Sequence, residues 1–203
     1  SAGDAAGTAC GRVYNSVIRG NVAGRAAGGA GGGGVLSNCQ IMDNVGGNSG
    51  GGGDQCTLYN CVVSGNTASI QGGGTYNSTL YNCTVVGNSA SQGGGVIGGT
   101  IYNSIVYSNG ATAFANIQYA TCRHTCTTPL QLGEGNITND PKLVSASHIA
   151  VDSPCVGAGS AAYAFGTDLD GESWKNPPSM GCDEPVDADT DGDGWTDAEE
   201  LYA

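Results

Sequence analysis

Five segments of the chain repeat one nine-residue pattern without gaps. They occupy residues 13–21, 36–44, 58–66, 80–88 and 101–109, so successive copies begin 23, 22, 22 and 21 residues apart. Glycine runs at 31–34, 51–53, 72–74 and 93–95 lie between the copies. A repeat of this length is one structural unit that buries its apolar face against its neighbours, so the fold has to be a stack of such units.

Within each copy, apolar and polar residues alternate. The first and sixth positions are aliphatic, the fourth is Ser or Cys, and the fifth and seventh vary freely. Alternation buries one face of a strand and exposes the other. Because the parity changes between the first and fourth positions, each copy is predicted to form two short strands separated by a turn near the third position.

Asparagine fills the third position of every copy, as Asn15, Asn38, Asn60, Asn82 and Asn103. If each repeat is one coil, equivalent residues lie about 4.8 Å apart in neighbouring coils. An Asn side chain can then donate to the Asn above and accept from the Asn below. These residues are predicted to form a structural ladder. A second candidate ladder is the ninth position, which holds Asn21, Asn44, Asn66, Asn88 and Asn109.

The pattern resembles the right-handed parallel β-helix repeats of large bacterial surface proteins, in which motifs such as L-x-N-C-x-V-x-G-N are followed by three glycines. The resemblance covers about residues 10–112. It implies an all-β fold, a right-handed parallel β-helix (solenoid). The motifs beyond residue 112, described below, add an irregular C-terminal cap and a short calcium-binding tail to this predicted fold. The composition agrees, because 37 Gly with only 2 Phe, 2 Met and 2 Trp is unusual for a compact globular core.

Three regions are predicted: coils over 1–112, last coils and a cap over 113–184, and an acidic calcium-binding tail over 185–203. Beyond residue 112, four segments (139–144, 152–159, 168–171 and 180–184) occur in order and look like the closing segment of bacterial β-helices of the choice-of-anchor type. That resemblance implies a C-terminal cap. A cap also has a physical reason, since the last rung of an open stack exposes an unpaired strand edge.

The nine cysteines favour an oxidising, extracytoplasmic setting, and their odd number leaves at least one thiol without a partner in the chain. The disulfide candidates are Cys155 with Cys182 and Cys122 with Cys126, although sequence alone does not fix the connectivity. At the fourth position, Cys39, Cys61 and Cys83 are read as small buried hydrophobes rather than metal ligands, and neighbours could also be bridged.

Residues 189–200 fit the twelve-residue calcium loop of an EF-hand, with Gly194 at the sharp turn. No apolar helix precedes the loop, so it resembles the single calcium repeats of dockerin and thrombospondin type 3 tails. The simpler reading is an acidic solvated linker. Ca²⁺ is the one predicted cofactor. Its predicted ligands are the side chains of Asp189, Asp191, Asp193, Asp197 and Glu200 and the carbonyl of Trp195.

A net charge of −12 with six Lys and Arg argues against binding to nucleic acid or to anionic membranes. No apolar run is long enough to span a membrane. The β-helix fold also hosts pectin lyases and polygalacturonases, whose sites need clustered carboxylates with Arg, Lys or His. The coils hold only Asp43 and Asp54 as acids, while His124 and His148 lie outside them. The chain is therefore predicted not to be an enzyme.

These features favour a non-catalytic secreted or cell-surface structural module, an adhesin segment or a fibre subunit, stabilised by calcium. The alternatives are a carbohydrate-binding module or an inactive relative of β-helix polysaccharide lyases. An outward stripe of tyrosines could stack on a glycan or simply on its own members. Residues 1–9 are too few to cap the first coil, which predicts either head-to-tail association into filaments or an upstream cap in a longer protein. The stripe comprises Tyr14, Tyr59, Tyr81 and Tyr102.

Overall fold

A computed structural model describes residues 5–185, and its regular structure is almost entirely β-strand. Within this range the one helical element is a 3-10 turn at Ala161–Tyr163. The strands are β1 (Thr8–Ala9), β2 (Arg12–Tyr14), β3 (Val17–Arg19), β4 (Ala30–Gly31), β5 (Val35–Ser37), β6 (Gln40–Met42), β7 (Val45–Gly46), β8 (Gly53–Asp54), β9 (Thr57–Tyr59), β10 (Val62–Ser64), β11 (Thr67–Ala68), β12 (Thr75–Tyr76), β13 (Thr79–Tyr81), β14 (Thr84–Val86), β15 (Ser89–Gln92), β16 (Val96–Ile97), β17 (Thr100–Tyr107), β18 (Gly110–Ala113), β19 (Ile117–Gln118) and β20 (Thr121–Thr127).

The strands form three sheets in which every named pair is parallel. Their orders are β1-β4-β8-β12-β16-β19, then β2-β5-β9-β13-β17-β14-β10-β6-β3 with β20 beside β17, and β7-β11-β15-β18. Each pairing joins residues one repeat apart, such as Leu58 with Leu80 and Val63 with Val85. The predicted parallel β-helix is confirmed, with about five turns.

The interior of the coils is filled by the positions that the repeat marks as aliphatic or small. In the middle coils these side chains have no solvent exposure, whereas Val13 of the first coil is half-buried and Ile18 is 8% exposed. The prediction of the buried face is therefore correct. The fully buried set comprises Leu36, Cys39, Ile41, Leu58, Cys61, Val63, Leu80, Cys83, Val85, Ile101 and Val106.

The turn predicted at the third position is also present. All five third-position asparagines have positive φ, between 45° and 52°. Asparagine tolerates this left-handed conformation better than other residues with a side chain, because its short polar side chain bonds locally. The repeat therefore keeps Asn there partly for the backbone.

One detail of the glycine register differs from the sequence expectation. Ala30 pairs with Gly53, so Gly29 rather than any glycine of 31–34 is equivalent to Gly52, Gly74 and Gly95 of the later runs. Gly32 and Gly33 instead follow β4 with φ of +69° and +81°, in a turn that lengthens this coil. The run of four glycines therefore contains a turn insertion that the repeat spacing did not separate.

A cap covers the last coil, as expected. Three main-chain hydrogen bonds join the cap to β20. Thr127 N donates to Ile137 O (3.0 Å), Ile137 N donates to Thr125 O (3.0 Å) and His124 N donates to Glu134 O (2.8 Å). These bonds use part of the strand edge that would otherwise face solvent.

The rest of the closing region does something the sequence did not predict. Residues 160–185, here called the return segment, run back along the side of the coils instead of over their end. Ser160 bonds to Asn103 of the fifth coil, Thr167 to Asn60 of the third, and Asp168 to Asn38 of the second.

The return segment buries part of the outer sheet face. The fifth repeat position was expected to be exposed, yet Val62, Thr84 and Ile105 are 0–1% exposed. Cys182 N donates to Thr84 Oγ1 (3.2 Å), and Met180 packs with Ile105 in a second core cluster. The varied residues at this position are explained by contact with a non-repeating segment.

Candidate functional site

The third-position asparagines were predicted to form a ladder, but they mainly fasten the return segment. The Asn60 amide donates to Thr167 O (2.6 Å) and Phe165 O (3.0 Å), and Asn103 exchanges two hydrogen bonds with Ser160. A long 3.4 Å contact from Asn60 Nδ2 to Asn38 Oδ1 joins two members. Asn15 is exposed. Asn82 is fully buried, and neither polar atom of its side chain has a partner among the described residues.

The second candidate series does form the continuous ladder. Each Nδ2 donates to the Oδ1 of the next coil over 2.9–3.2 Å, and each main-chain N–H donates to that same oxygen. Asn116 ends the ladder only seven residues after Asn109, and this spacing gave no signal in the sequence. Four middle members also donate to a carbonyl of the preceding coil: Asn44, Asn66, Asn88 and Asn109.

The interior cysteines are packed as thiols. Cys61 Sγ donates to Tyr59 O (3.0 Å), and Cys39 and Cys83 make the equivalent bond over 3.2 Å. Burial raises the pKa of Cys61 well above 9, so the thiolate that a metal site needs is disfavoured. This arrangement favours the packing interpretation of the stacked cysteines.

Neither disulfide candidate is bridged in this structure, where all nine cysteines are free thiols and eight are buried. Cys122 and Cys126 lie four residues apart in β20 and belong to different core clusters. Cys126 instead packs with Cys155, and a hydrogen bond between these sulfurs, followed by burial, raises the pKa of Cys126. Cys182 Sγ donates to Ser147 O (3.3 Å).

Three of the four outward tyrosines stack, and the return segment extends the stack. Tyr59–Tyr81 and Tyr81–Tyr102 have ring-centroid distances of 4.9 and 5.0 Å, and Tyr163 lies 4.3 Å from Tyr102. Phe165 packs edge-on against Tyr59 and Tyr81. Tyr14 stays 53% exposed. A groove of about 330 Å³ opens beside this stack, lined by Ser37, Asn38, Tyr59, Asn60, Phe165 and Gly166.

Buried acids hold the closing region together. The fully buried Asp168 carboxylate accepts four main-chain N–H groups, from Asp170, Gly171 and Glu172 in its own loop and from Glu184. These donors satisfy the hydrogen-bonding capacity of the buried carboxylate. Asp168 is therefore the anchor of the loop that carries Asp170.

A polar cluster at the surface of this region joins three separate loops. One ring nitrogen of His148 and one carboxylate oxygen each of Asp170 and Asp183 lie within 4.8 Å of one another. His148 Nε2 is 2.8 Å from Asp170 Oδ2, and Asp183 Oδ2 accepts from Ile149 N over 3.0 Å. Burial raises the pKa of Asp183 to about 6. His148 lies outside the coils, as its position in the sequence indicates, and no role was predicted for it.

Of the charged residues in the coils, Asp43 pairs with Arg19 on the surface (2.9 Å), and Asp54 lies nearly buried beside Ser49. These two acids belong to different sheets, because Asp43 follows β6 and Asp54 ends β8. The predicted calcium ligands at 189–200 lie outside the described residues.

Comparisons with protein-family models, with curated proteins and with solved structures find no match to this chain. Among residues 5–185, no helix has the length and apolar character needed to cross a membrane.

Proposed function

We propose that this chain is a non-catalytic structural module of a secreted or cell-surface protein, an adhesin segment or fibre subunit stabilised by calcium. One observation carries the proposal. The asparagine side chains that recur in every coil form hydrogen bonds within the molecule. The ninth-position series connects neighbouring coils, and the third-position series binds the return segment. A repeat devoted to internal bonding favours a rigid spacer over a binding or catalytic surface.

The secreted or surface location rests on the resemblance of the repeats and on the acidic loop at 189–200. The cysteine count supports it less than the sequence suggested, because packing accounts for the buried thiols. The large negative charge fits a setting rich in divalent cations, which screen such a surface.

Calcium binding is the first expected result. Titration calorimetry of the whole chain should show one site with a dissociation constant on the order of 10⁻⁴ M or weaker, as in extracellular modules. An Asp191→Asn, Asp193→Asn double variant should lose the signal, because two of the oxygen ligands lose their charge. No heat with an intact tail would contradict a calcium-stabilised module.

Self-association is the second expected result. Among residues 5–185, the β1 and β2 strands at the start of the stack pair on one side only, with β4 and β5. If a second copy of the chain pairs with the open edges of β1 and β2, light scattering should show a mass that grows with protein concentration and falls on addition of a chelator. A strictly monomeric particle with and without calcium would contradict the fibre-subunit version and leave the adhesin-segment version.

A carbohydrate-binding module is the alternative that a specific feature favours. The groove beside Tyr59 offers an aromatic ring and the half-exposed Phe165, which are groups that can stack on a sugar. On this alternative, a glycan array should show binding that Phe165→Ala abolishes. Tyr14→Ala, an exposed tyrosine at the same repeat position, should leave the binding unchanged. A blank array for the unchanged protein would eliminate this function.

A further inference from the structure

We propose that His148, Asp170 and Asp183 bind one divalent transition-metal ion of the Zn²⁺ class. This site is separate from the calcium loop of the tail and does not depend on the proposed function. It would link the three loops of the closing region that carry these residues.

The donor set indicates the class of ion. One imidazole nitrogen with two carboxylate oxygens suits zinc and similar metals, whereas calcium and magnesium prefer oxygen ligands alone. Ligand atoms around a tetrahedral zinc ion lie about 3.4 Å apart, given bonds of about 2.0–2.2 Å. The three donors already lie within 4.8 Å of one another, so a shift on the order of 1 Å completes the geometry. Asp170 sits on an exposed loop and can make that shift.

The surroundings of His148 match those of a metal-bound imidazole. Its Nδ1 lies 2.9 Å from Ser145 Oγ and 2.8 Å from Ser147 Oγ. A hydroxyl that accepts from Nδ1–H leaves the lone pair of Nε2 directed at the carboxylates, and such outer contacts fix the tautomer and ring orientation of a ligating histidine. Ser145 Oγ is itself held by the main-chain N–H groups of Ser147 and His148.

Asp183 supplies an independent reason for a cation. Its side chain is only 6% exposed, yet among the described residues it accepts a single hydrogen bond, from Ile149 N. Asp168 in the same region accepts four such bonds and needs nothing more. A buried carboxylate with so few donors requires a positive partner.

The simpler arrangement is an ion pair between His148 and Asp170. That pair accounts for two of the three groups and leaves Asp183 with one hydrogen bond among the described residues, from Ile149 N. A metal ion accounts for all three groups, because it neutralises both ligating carboxylates while keeping the imidazole uncharged.

The test is a Zn²⁺ titration of the whole chain in competition with a chromophoric chelator. We expect one bound equivalent that His148→Gln abolishes and that Asp170→Asn weakens at least tenfold. The double variant Ser145→Ala, Ser147→Ala should weaken binding about 10- to 100-fold, the usual effect of removing outer contacts of a metal ligand. Co²⁺ bound at the same site should give a visible absorption spectrum that His148→Gln alters.

Two controls separate this site from the rest of the chain. His124→Gln removes the other histidine, and Asp191→Asn with Asp193→Asn disables the calcium loop; neither should change the equivalent bound at His148. If circular dichroism shows that His148→Gln does not fold, the test rests on Asp170→Asn, because Asp170 is exposed and its replacement should leave the fold intact. Equal zinc affinity in the unchanged protein and in Asp170→Asn would overturn the proposal, as would zinc binding in the unchanged protein that is no tighter than in the Ser145→Ala, Ser147→Ala variant.

Discussion

Replacing Asn66 with Ala should lower the free energy of unfolding by about 3–5 kcal/mol, among the largest effects of any single side chain in the coils. Asn66 Oδ1 accepts from both the main-chain N–H and the Nδ2 of Asn44, over 3.0 Å each. Its own Nδ2 donates to Ile41 O and to Asn88 Oδ1, over 2.9 Å each. Truncation leaves buried donors on one side and buried acceptors on the other, where water does not reach.

Urea or thermal unfolding followed by circular dichroism measures the effect. Asn48→Ala is the matched control, since it makes the same chemical change on an exposed loop of the coils and should cost no more than about 0.5 kcal/mol. Asn60→Ala should fall between them, at about 1–3 kcal/mol, because its amide fastens only the return segment. Equal stability of Asn66→Ala and Asn48→Ala would contradict the ladder.

The coils could be predicted because their determinants are local and repeated. The inward positions held by Leu58 and Val63 in the third copy are aliphatic in every copy. Parallel stacking places each such residue above its equivalent in the next coil. The left-handed turn at Asn60 follows from the same regularity. Each copy adds an independent observation of one pattern, so five copies determine the strands, the turn and the buried face.

The choice of ladder could not be settled from the repeat. Both asparagine series recur at the same interval, and either could stack. Asn60 points to the outside of the turn, where the return segment supplies carbonyl partners, whereas Asn66 points inward and finds only its own equivalents. Contact with the non-repeating return segment determines which asparagine series forms the ladder. The periodicity of the repeats carries no information about such a segment.

The His148 cluster could not be predicted for a related reason. His148, Asp170 and Asp183 belong to three loops without a shared period. Asp170 and Asp183 lie in short motifs that the sequence marks only as part of a closing region, and His148 lies between two such motifs. Their proximity follows from the path of the return segment, which brings residue 170 back beside residue 183; Leu169 N donates to Cys182 O at that point.

The glycine runs, by contrast, are explained by the ladder itself. In the three later runs the middle or last glycine lies against the asparagine side chains, with Gly52 beside Asn66, Gly74 beside Asn88 and Gly95 beside Asn109. A β-carbon at Gly52 would lie 3.0 Å from Asn66 Nδ2 and 2.7 Å from Gly74 O. The space between the glycine main chain and the asparagine ladder is therefore too small for a β-carbon.

Replacing Gly74 with Ala should destabilise the protein by about 3 kcal/mol or more. The added β-carbon would lie 2.5 Å from Gly95 O and 2.8 Å from Val85 Cγ1. Neither neighbouring atom can move without a large cost in free energy. The Gly95 oxygen belongs to the main chain of the next coil, and Val85 is fully buried. Gly74 itself is bonded on both sides, donating to Gly94 O and accepting from Gly52 N over 2.9 Å each. Relief of the clash would therefore separate two coils and stretch the Asn88–Asn109 bond.

Two other glycines separate lack of space from backbone conformation. Gly87 has φ of +66° with its nearest neighbour 3.9 Å away, so Gly87→Ala should cost about 1–2 kcal/mol through the left-handed backbone alone. Gly24 has open space and no such φ, so Gly24→Ala should be neutral or should stabilise by about 0.4–1 kcal/mol, because it restricts the unfolded chain. Denaturant unfolding of the three variants should rank Gly74→Ala far below Gly87→Ala and Gly24→Ala highest. If Gly74→Ala unfolded at the same midpoint as Gly87→Ala, lack of space beside the ladder would not be the reason for the glycine runs.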